Sequence, residues 1–308
     1  MSINGEYSVD AEHDGSRLDR YIRSVLPGLT QSFIERLLRR GEIRLNNKKV
    51  ASSTRVKLGD VVIVSNVAGI ATRAHEVQEV RCDTLLRLII DNVIYKDDNI
   101  VAINKPVGVS VQGGSKVRVS LCDLLEKIIP GETLHIVHRL DKDTSGVLIL
   151  ARRKSVARVI SEQLRCRKIY KDYLAVTRGV PGADSGEITI PVFYKRKQGC
   201  VEGITEKDAR TVFSVVKANE IGAVVLLKPV TGRKHQLRIH MAQSGCPIVG
   251  DEKYCGTEAK GELHLHALKI TLELFGCKIA IVAPIPGHMV QTINTLFGEL
   301  PREVEALL

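Results

Sequence analysis

At 308 residues the chain has room for one small and one mid-sized domain, and its hydrophobic and charged fractions, 44% and 26%, are those of an ordinary globular protein. Apolar runs are strand-sized or broken by charge, as by Arg87 within 85–90, which excludes a membrane-spanning helix. The net charge of +10 asks for a polyanionic partner only if it is concentrated, and it is: residues 14–60 hold eleven Lys and Arg against five acids.

Residues 1–10 lack the basic-then-apolar pattern of a secretory signal. The seven cysteines are odd in number and form no C-x-x-C pair. Reduced thiols packed as small hydrophobes in a cytoplasmic protein are the expectation.

The first helix is expected from Ser16, whose spacing to Asp19 is that of a capping box, with Leu18, Ile22, Val25 and Leu26 as its apolar stripe. Pro27-Gly28 ends it. Thr30 or Ser32 caps a second helix with Phe33, Ile34, Leu37 and Leu38 inside, stopped by Gly41. Arg36, Arg39 and Arg40 fall away from that stripe and can project together. Short strands follow at 42–46 and 49–50 around an Asn46-Asn47 turn, and Gly59-Asp60 leads into a strand at 61–64. Helices followed by small strands, with Arg17, Arg36, Arg39, Arg40 and Lys48 displayed, make a platform for phosphate contacts. A solvated charged face is the alternative.

A linker is expected at 76–90, between a small domain at 14–75 and a larger one at 91–308. Short strands at 94–95 and 100–103 flank an Asp97-Asp98-Asn99 turn. Lys105-Pro-Val-Gly108 closes the second strand. Gly108, Gly113 and Gly114 allow close backbone approach, but no G-K-[ST] follows, so this is no nucleotide loop.

The densest cluster is His138-Arg-Leu-Asp-Lys-Asp-Thr-Ser-Gly146, between strand-like runs at 134–137 and 147–151. Carboxylates and cations crowded at a strand end imply an ion-pair network or a site with tuned acids. Asp143-Thr-Ser-Gly146 is one residue too long for an aspartic-protease loop and has no second copy. Asp141 and Asp143 alternate faces if extended, which does not make the facing pair of a glycosidase. Further strands are expected at 263–268, 270–274 and 279–283, with a closing helix at 291–297. The fold class is therefore α+β, on a mixed, mainly antiparallel sheet.

H-R-L-D-K-D-T-S-G resembles the signature of the RluA family of pseudouridine synthases. K-P-V-G at 105–108, K-D-Y-L-A at 171–175, G-R-K-H-Q-L-R-I-H at 232–240 and P-I-V-G-D-x-x-Y at 247–254 resemble its other motifs, in order. R-L-D at 17–19, L-L-R-R-G at 37–41, I-R-L-N at 43–46 and L-G-D-V-V at 58–62 resemble the S4 RNA-binding domain. Within the family the chain looks most like the RluC type, which implies 23S ribosomal RNA of the large subunit as substrate and partner.

The resemblance implies an isomerase that needs no cofactor. The bond from ribose C1′ to uracil N1 breaks, the base turns, and C5 joins C1′. It makes Asp141 the catalytic carboxylate, as covalent nucleophile or as electrostatic support, a choice the sequence leaves open. It pairs Arg238 with Asp141 and stacks Tyr173 on the uracil. It sends Arg139 into the RNA stack to hold the flipped nucleotide, and it puts Lys105, His138, Leu237 and Leu265 against substrate.

His138, His235, His240, His264 and His266 lack companion ligands at metal spacing, so no metal is expected. No heptad is apparent, so a monomer is expected. A transfer-RNA synthase and a non-catalytic ribosome-assembly factor on the same scaffold are the competing readings.

Overall fold

The computed structural model describes residues 3–26, 29, 31–67, 83–113, 119–198, 201–255, 261–299 and 304. Contacts divide the chain into two compact units, Met1–Arg87 with Gln112–Leu124, and Leu88–Val111 with Leu125–Leu308. Pro27-Gly28, Thr30, Gly114 and the 76–82 part of the expected linker lie outside the described residues.

In the first unit β1 (Ile3–Ser8), β2 (Ile43–Leu45) and β3 (Val61–Val67) form an antiparallel sheet with β3 in the middle. Helices α1 (Leu18–Val25) and α2 (Gln31–Arg40) cover it. Leu18, Tyr21 and Ile22 of α1 and Ile34, Leu37 and Leu38 of α2 recur every three or four residues, which directs them into one core with Ile43, Leu45, Val62 and Val64. The Asn46-Asn47 turn forms as expected, with left-handed φ of 48° and 64° and Leu45 and Lys48 exchanging backbone hydrogen bonds. Past Lys48 the pairing stops, so 49–50 is not a strand. The capping box does not form either. Arg17 takes the N-cap position without a side-chain bond, and the buried Ser16 hydroxyl has no partner among the described residues. Asp19 is drawn instead to Arg17 (2.7 Å) and Gln31 (2.9 Å).

After helix α3 (83–91), the second unit is built on one ten-stranded sheet. Its strands are β4 (Val93–Lys96), β5 (Ile100–Lys105), β6 (His135–Ile136), β7 (Ser145–Ala151), β8 (Tyr170–Arg178) and β9 (Ser185–Ile188). A separate hairpin, β10 (Val192–Gln198) with β11 (Val201–Lys207), precedes the rest: β12 (Thr211–Ala218), β13 (Gly222–Pro229), β14 (Leu265–Leu274) and β15 (Cys277–Val282). The order is β4-β5-β7-β14-β8-β13-β12-β9, with β15 on β14 and β6 on β7. Among the described residues the pairs are antiparallel except β7 with β14. The mixed, mainly antiparallel sheet of an α+β protein is thus observed. The apolar stretches at 263–268 and 270–274 fall largely within one strand, β14.

Among the described residues four helices of three residues or more complete the unit: α4 (Leu125–Ile128), α5 (Lys154–Arg165), α6 (Gln236–Gln243) and α7 (Gly287–Phe297). Strand alternation sorts the sheet's side chains between them. Leu174 and Val176 of β8 and Val224 and Leu226 of β13 pack on Met289, Ile293 and Phe297 of α7. Ala175, Ala223, Val225 and Leu227 point the other way, onto Leu237 and Met241 of α6, and Tyr173 lies on that same face. The period of two therefore decides which side of the sheet carries the tyrosine.

Candidate active site

Two residues pair directly across from Ala267 of β14, Gly146 of β7 on one side and Tyr173 of β8 on the other. This row brings the loop before β7, which carries Asp141, alongside Tyr173. Close approach of β7 to β14 requires glycine at 146. Its φ is +110°, and a Cβ there would sit 2.2 Å from the Ala267 carbonyl oxygen.

The loop is held from three directions. His138 Nε2 accepts the Ile149 N–H at 3.0 Å, Ser145 Oγ meets His266 Nδ1 at 2.9 Å, and Lys105 Nζ donates to the Lys142 carbonyl at 3.0 Å. Lys105 also donates to the carbonyls of Pro106 (2.8 Å) and Val109 (3.0 Å). Burial lowers its pKa to about 7, against the pull of Asp143 and Asp141. Burial likewise pushes His138 down to about 3, with Lys171 adding to the effect, so the ring is neutral. Lys105 and His138, expected against substrate, are thus built into the loop that presents Asp141. A 1%-exposed ammonium with three carbonyl partners has no donor left for a ligand.

The expected pairing of Arg238 is corrected by the structure. Its guanidinium forks onto Asp251, Nε to Oδ2 at 2.8 Å and an Nη to Oδ1 at 2.6 Å, with both side chains buried. Asp251 follows Gly250, where φ is +76° and a Cβ would meet the Glu262 carbonyl oxygen at 2.0 Å. The carboxylate also accepts the N–H groups of Lys253 and Tyr254, at 3.1 and 3.2 Å. A planar fork and a preset carboxylate satisfy each other bidentately, which Asp141, on a different loop, does not do. Burial works against the Arg238 charge, but the hydrogen bonds and charge of Asp251, reinforced by Asp141 through space, together outweigh it.

His235 Nε2 lies 3.8 Å from Asp141 Oδ1. His235 precedes α6 with left-handed φ and ψ of 55° and 20°. Its Nδ1 lies 2.8 Å from the Tyr254 hydroxyl and 3.2 Å from Lys253 Nζ. The Arg238 guanidinium lies over the Tyr254 ring at 5.4 Å. The sequence pattern set His235 aside as a metal ligand and gave Asp251 and Tyr254 no role. Their signal was the P-I-V-G-D-x-x-Y stretch itself.

Tyr173 is half-buried on β8. Burial first, and Asp141 second, raise its phenol above the ordinary value. Leu237 and Leu265 are buried in the apolar cluster against which Tyr173 packs, 6% and 3% exposed, so they bear on the site from beneath the ring. Arg139 is exposed, two residues before Asp141. The charge of Asp141 thus acts on Lys105, Tyr173, Tyr194, His235, Arg238 and Tyr254 at once.

The remaining motif histidines are tied into the fold. His240 meets Thr211 Oγ1 (2.9 Å) and the Ile190 carbonyl (2.8 Å), and His264 meets the Glu262 carbonyl (2.9 Å) and Thr292 Oγ1 (2.8 Å). In the first unit Arg39 and Arg40 are exposed, Arg40 3.7 Å from Glu42, and Lys48 is exposed beside the turn. Arg17 is engaged with Asp19, and half-buried Arg36 lies 4.7 Å over the Phe33 ring. The five expected phosphate contacts are therefore not equally available.

The RNA pseudouridylate synthase family matches residues 99–243, a span containing Asp141, Tyr173 and Arg238, and the S4 domain matches residues 16–62. The "Ribosomal large subunit pseudouridine synthase C" of Rickettsia felis is 35% identical over 289 residues, covering 89% of this chain and 94% of that protein. Its namesake in Escherichia coli strain K12 is 34% identical over 309 residues, covering 94% and 95%. The solved structure of "Human RNA Pseudouridylate Synthase Domain Containing 4" superposes with a TM-score of 0.64 at 29% identity, over 72% of this chain and 99% of that one. With this extent of likeness, and a site in which one aspartate acts on six ionisable neighbours, the chain belongs to the RNA pseudouridylate synthases and is an isomerase with an S4 domain at its N-terminal end.

Proposed function

We propose that this enzyme converts specific uridines of large-subunit, 23S ribosomal RNA to pseudouridine, with Asp141 as its catalytic carboxylate. The observation that carries the role is the convergence on Asp141 of His235 at 3.8 Å, the field of buried Arg238, and Tyr173 on β8. Support for the substrate comes from relatives named as ribosomal large subunit pseudouridine synthases, 32% to 35% identical over about nine-tenths of the chain.

The reaction loses no atoms. The C1′–N1 bond breaks, the uracil turns, C1′ bonds to C5, the C5 proton leaves and N1 gains one. Asp141 acts at C1′ or C2′, as nucleophile or as counter-charge to the sugar. The ring of Tyr173 offers a stacking face to the detached base, and its phenol, held protonated, donates a hydrogen bond. Arg139, at the rim, supports the everted nucleotide, whose unstacking costs a few kcal/mol. Exposed Arg39, Arg40 and Lys48 of the S4 domain hold RNA through phosphates. The protein works as a monomer in the cytoplasm.

Mapping pseudouridine in cells carrying the intact gene, a deletion and an Asp141→Asn allele tests this reading. Loss of the same few large-subunit sites in both altered strains is expected. Loss confined to transfer RNA would reassign the substrate, and no loss anywhere would leave an RNA-binding factor.

A further inference from the structure

We infer that His235 is a positioning residue for Asp141, locked by Lys253 and Tyr254 in the tautomer that presents Nε2–H to the catalytic carboxylate. The inference rests on the proposed role of Asp141 and adds a second group to it.

The argument starts from Lys253. An ammonium has three donors and no lone pair, so its 3.2 Å contact with His235 Nδ1 is a hydrogen bond only with Nδ1 as the acceptor. The Tyr254 hydroxyl, 2.8 Å from the same nitrogen, can donate to the same lone pair, which the two donors then share. With Nδ1 a lone-pair site, the proton of the neutral imidazole resides on Nε2. That is the atom facing Asp141, at 3.8 Å. The gap is slightly longer than a hydrogen bond, and catalytic contacts that are long in the free enzyme tighten when substrate fills the site.

The charges around the ring suit a neutral donor. Burial favours the uncharged imidazole, and Arg238, Lys253 and Lys234 oppose a positive charge on it, while Asp141 alone favours one. The cations come from three places packed around the ring: α6, the turn after Gly250, and the segment before α6. A neutral N–H can steer the carboxylate toward C1′ without forming a full ion pair that would blunt it.

Backbone geometry supplies an unusual test, because the steric and chemical requirements at 235 favour different replacements. The left-handed conformation at φ 55° suits asparagine better than glutamine. Glutamine, however, places an N–H at the position of Nε2, whereas asparagine reaches only as far as Nδ1. If His235 merely shapes the backbone, His235→Asn is the milder change. If it delivers Nε2–H, His235→Gln is.

The experiment measures single-turnover pseudouridine formation on a ribosomal RNA fragment for the wild type, His235→Gln, His235→Asn and Asp141→Asn, with each variant's melting temperature. In parallel, 15N imidazole shifts of the folded wild type report the tautomer. The expected result is Nε2–H on His235, with His235→Asn slower than His235→Gln by about tenfold or more, as for a hydrogen bond to a charged group. An Nδ1–H tautomer, or Asn equal to or faster than Gln, overturns the inference. Full activity in Asp141→Asn would instead overturn the underlying assignment of Asp141, which keeps the two failures distinct.

Discussion

Lys105, at the end of β5, donates to the carbonyl of Lys142, the residue that follows Asp141, at 3.0 Å. The motif near residue 105 and the motif near residue 141 are therefore one device: a buried lysine that sets the loop carrying Asp141.

Lys105 makes stability depend on pH in a specific way. Its folded pKa of about 7 lies below the ordinary 10.5. Between those values the unfolded chain binds more protons than the folded one, so the lysine adds stability as pH rises. Below about 7 both states are charged and the cost of burying the ammonium is fully present. Urea denaturation of the wild type should carry a positive contribution of up to about 1.4 kcal/mol per pH unit in that window. Lys105→Met should lack it, and should lose activity because three carbonyls are left without their donor. Equal slopes in the two proteins would refute this.

Arg238 and Asp251 form a buried pair, so removing one partner strands the other. Arg238→Met or Asp251→Leu alone should cost about 3–5 kcal/mol, and the double replacement less than the sum. A double-mutant cycle by urea denaturation measures the coupling. Additive losses would show that the fork contributes little.

Gly146→Ala drives a Cβ to 2.2 Å from the Ala267 carbonyl oxygen at a φ of +110°. Strain and overpacking together predict a loss of about 3 kcal/mol or more, with activity falling in step as β7 shifts from β14. Calorimetry and single-turnover assays test this, and a variant with normal melting and normal turnover would contradict it.

In the S4 domain, Arg39→Gln, Arg40→Gln and Lys48→Gln combined should flatten the slope of log affinity against log salt by about two to three. Arg40 is expected to contribute least, being partly spent on Glu42 at 3.7 Å. Filter binding across a salt series, with thermal melting unchanged, is the check. An unaltered slope would remove these residues from the RNA contact.

Much of the fold was legible because local chemistry and tertiary structure agree. Asn46-Asn47 specifies its turn through left-handed backbone, and the unbroken apolar run 147–151 became the buried strand β7. The misreadings arise where a distant residue competes. Asp19 is claimed by Arg17 and Gln31 rather than by a capping box with Ser16. Arg238 is claimed by Asp251, thirteen residues on, because the Gly250 turn delivers that carboxylate edge-on to the fork. Linear spacing says nothing about which of two acids meets an arginine. Leu237 and Leu265 reveal their place beneath Tyr173 only through the alternation of β8 and its pairing with β14. Lys105 reads as a ligand-binding cation until its three carbonyl partners are seen.

The most direct test of the central claim follows the C5 proton. RNA containing uridine tritiated at C5 must release tritium to water when C5 bonds to C1′. The purified wild type should release it from a large-subunit ribosomal RNA fragment, while Asp141→Asn, equally folded and equally bound to RNA, releases none above background. Release at the wild-type rate from that variant would contradict the assignment of Asp141.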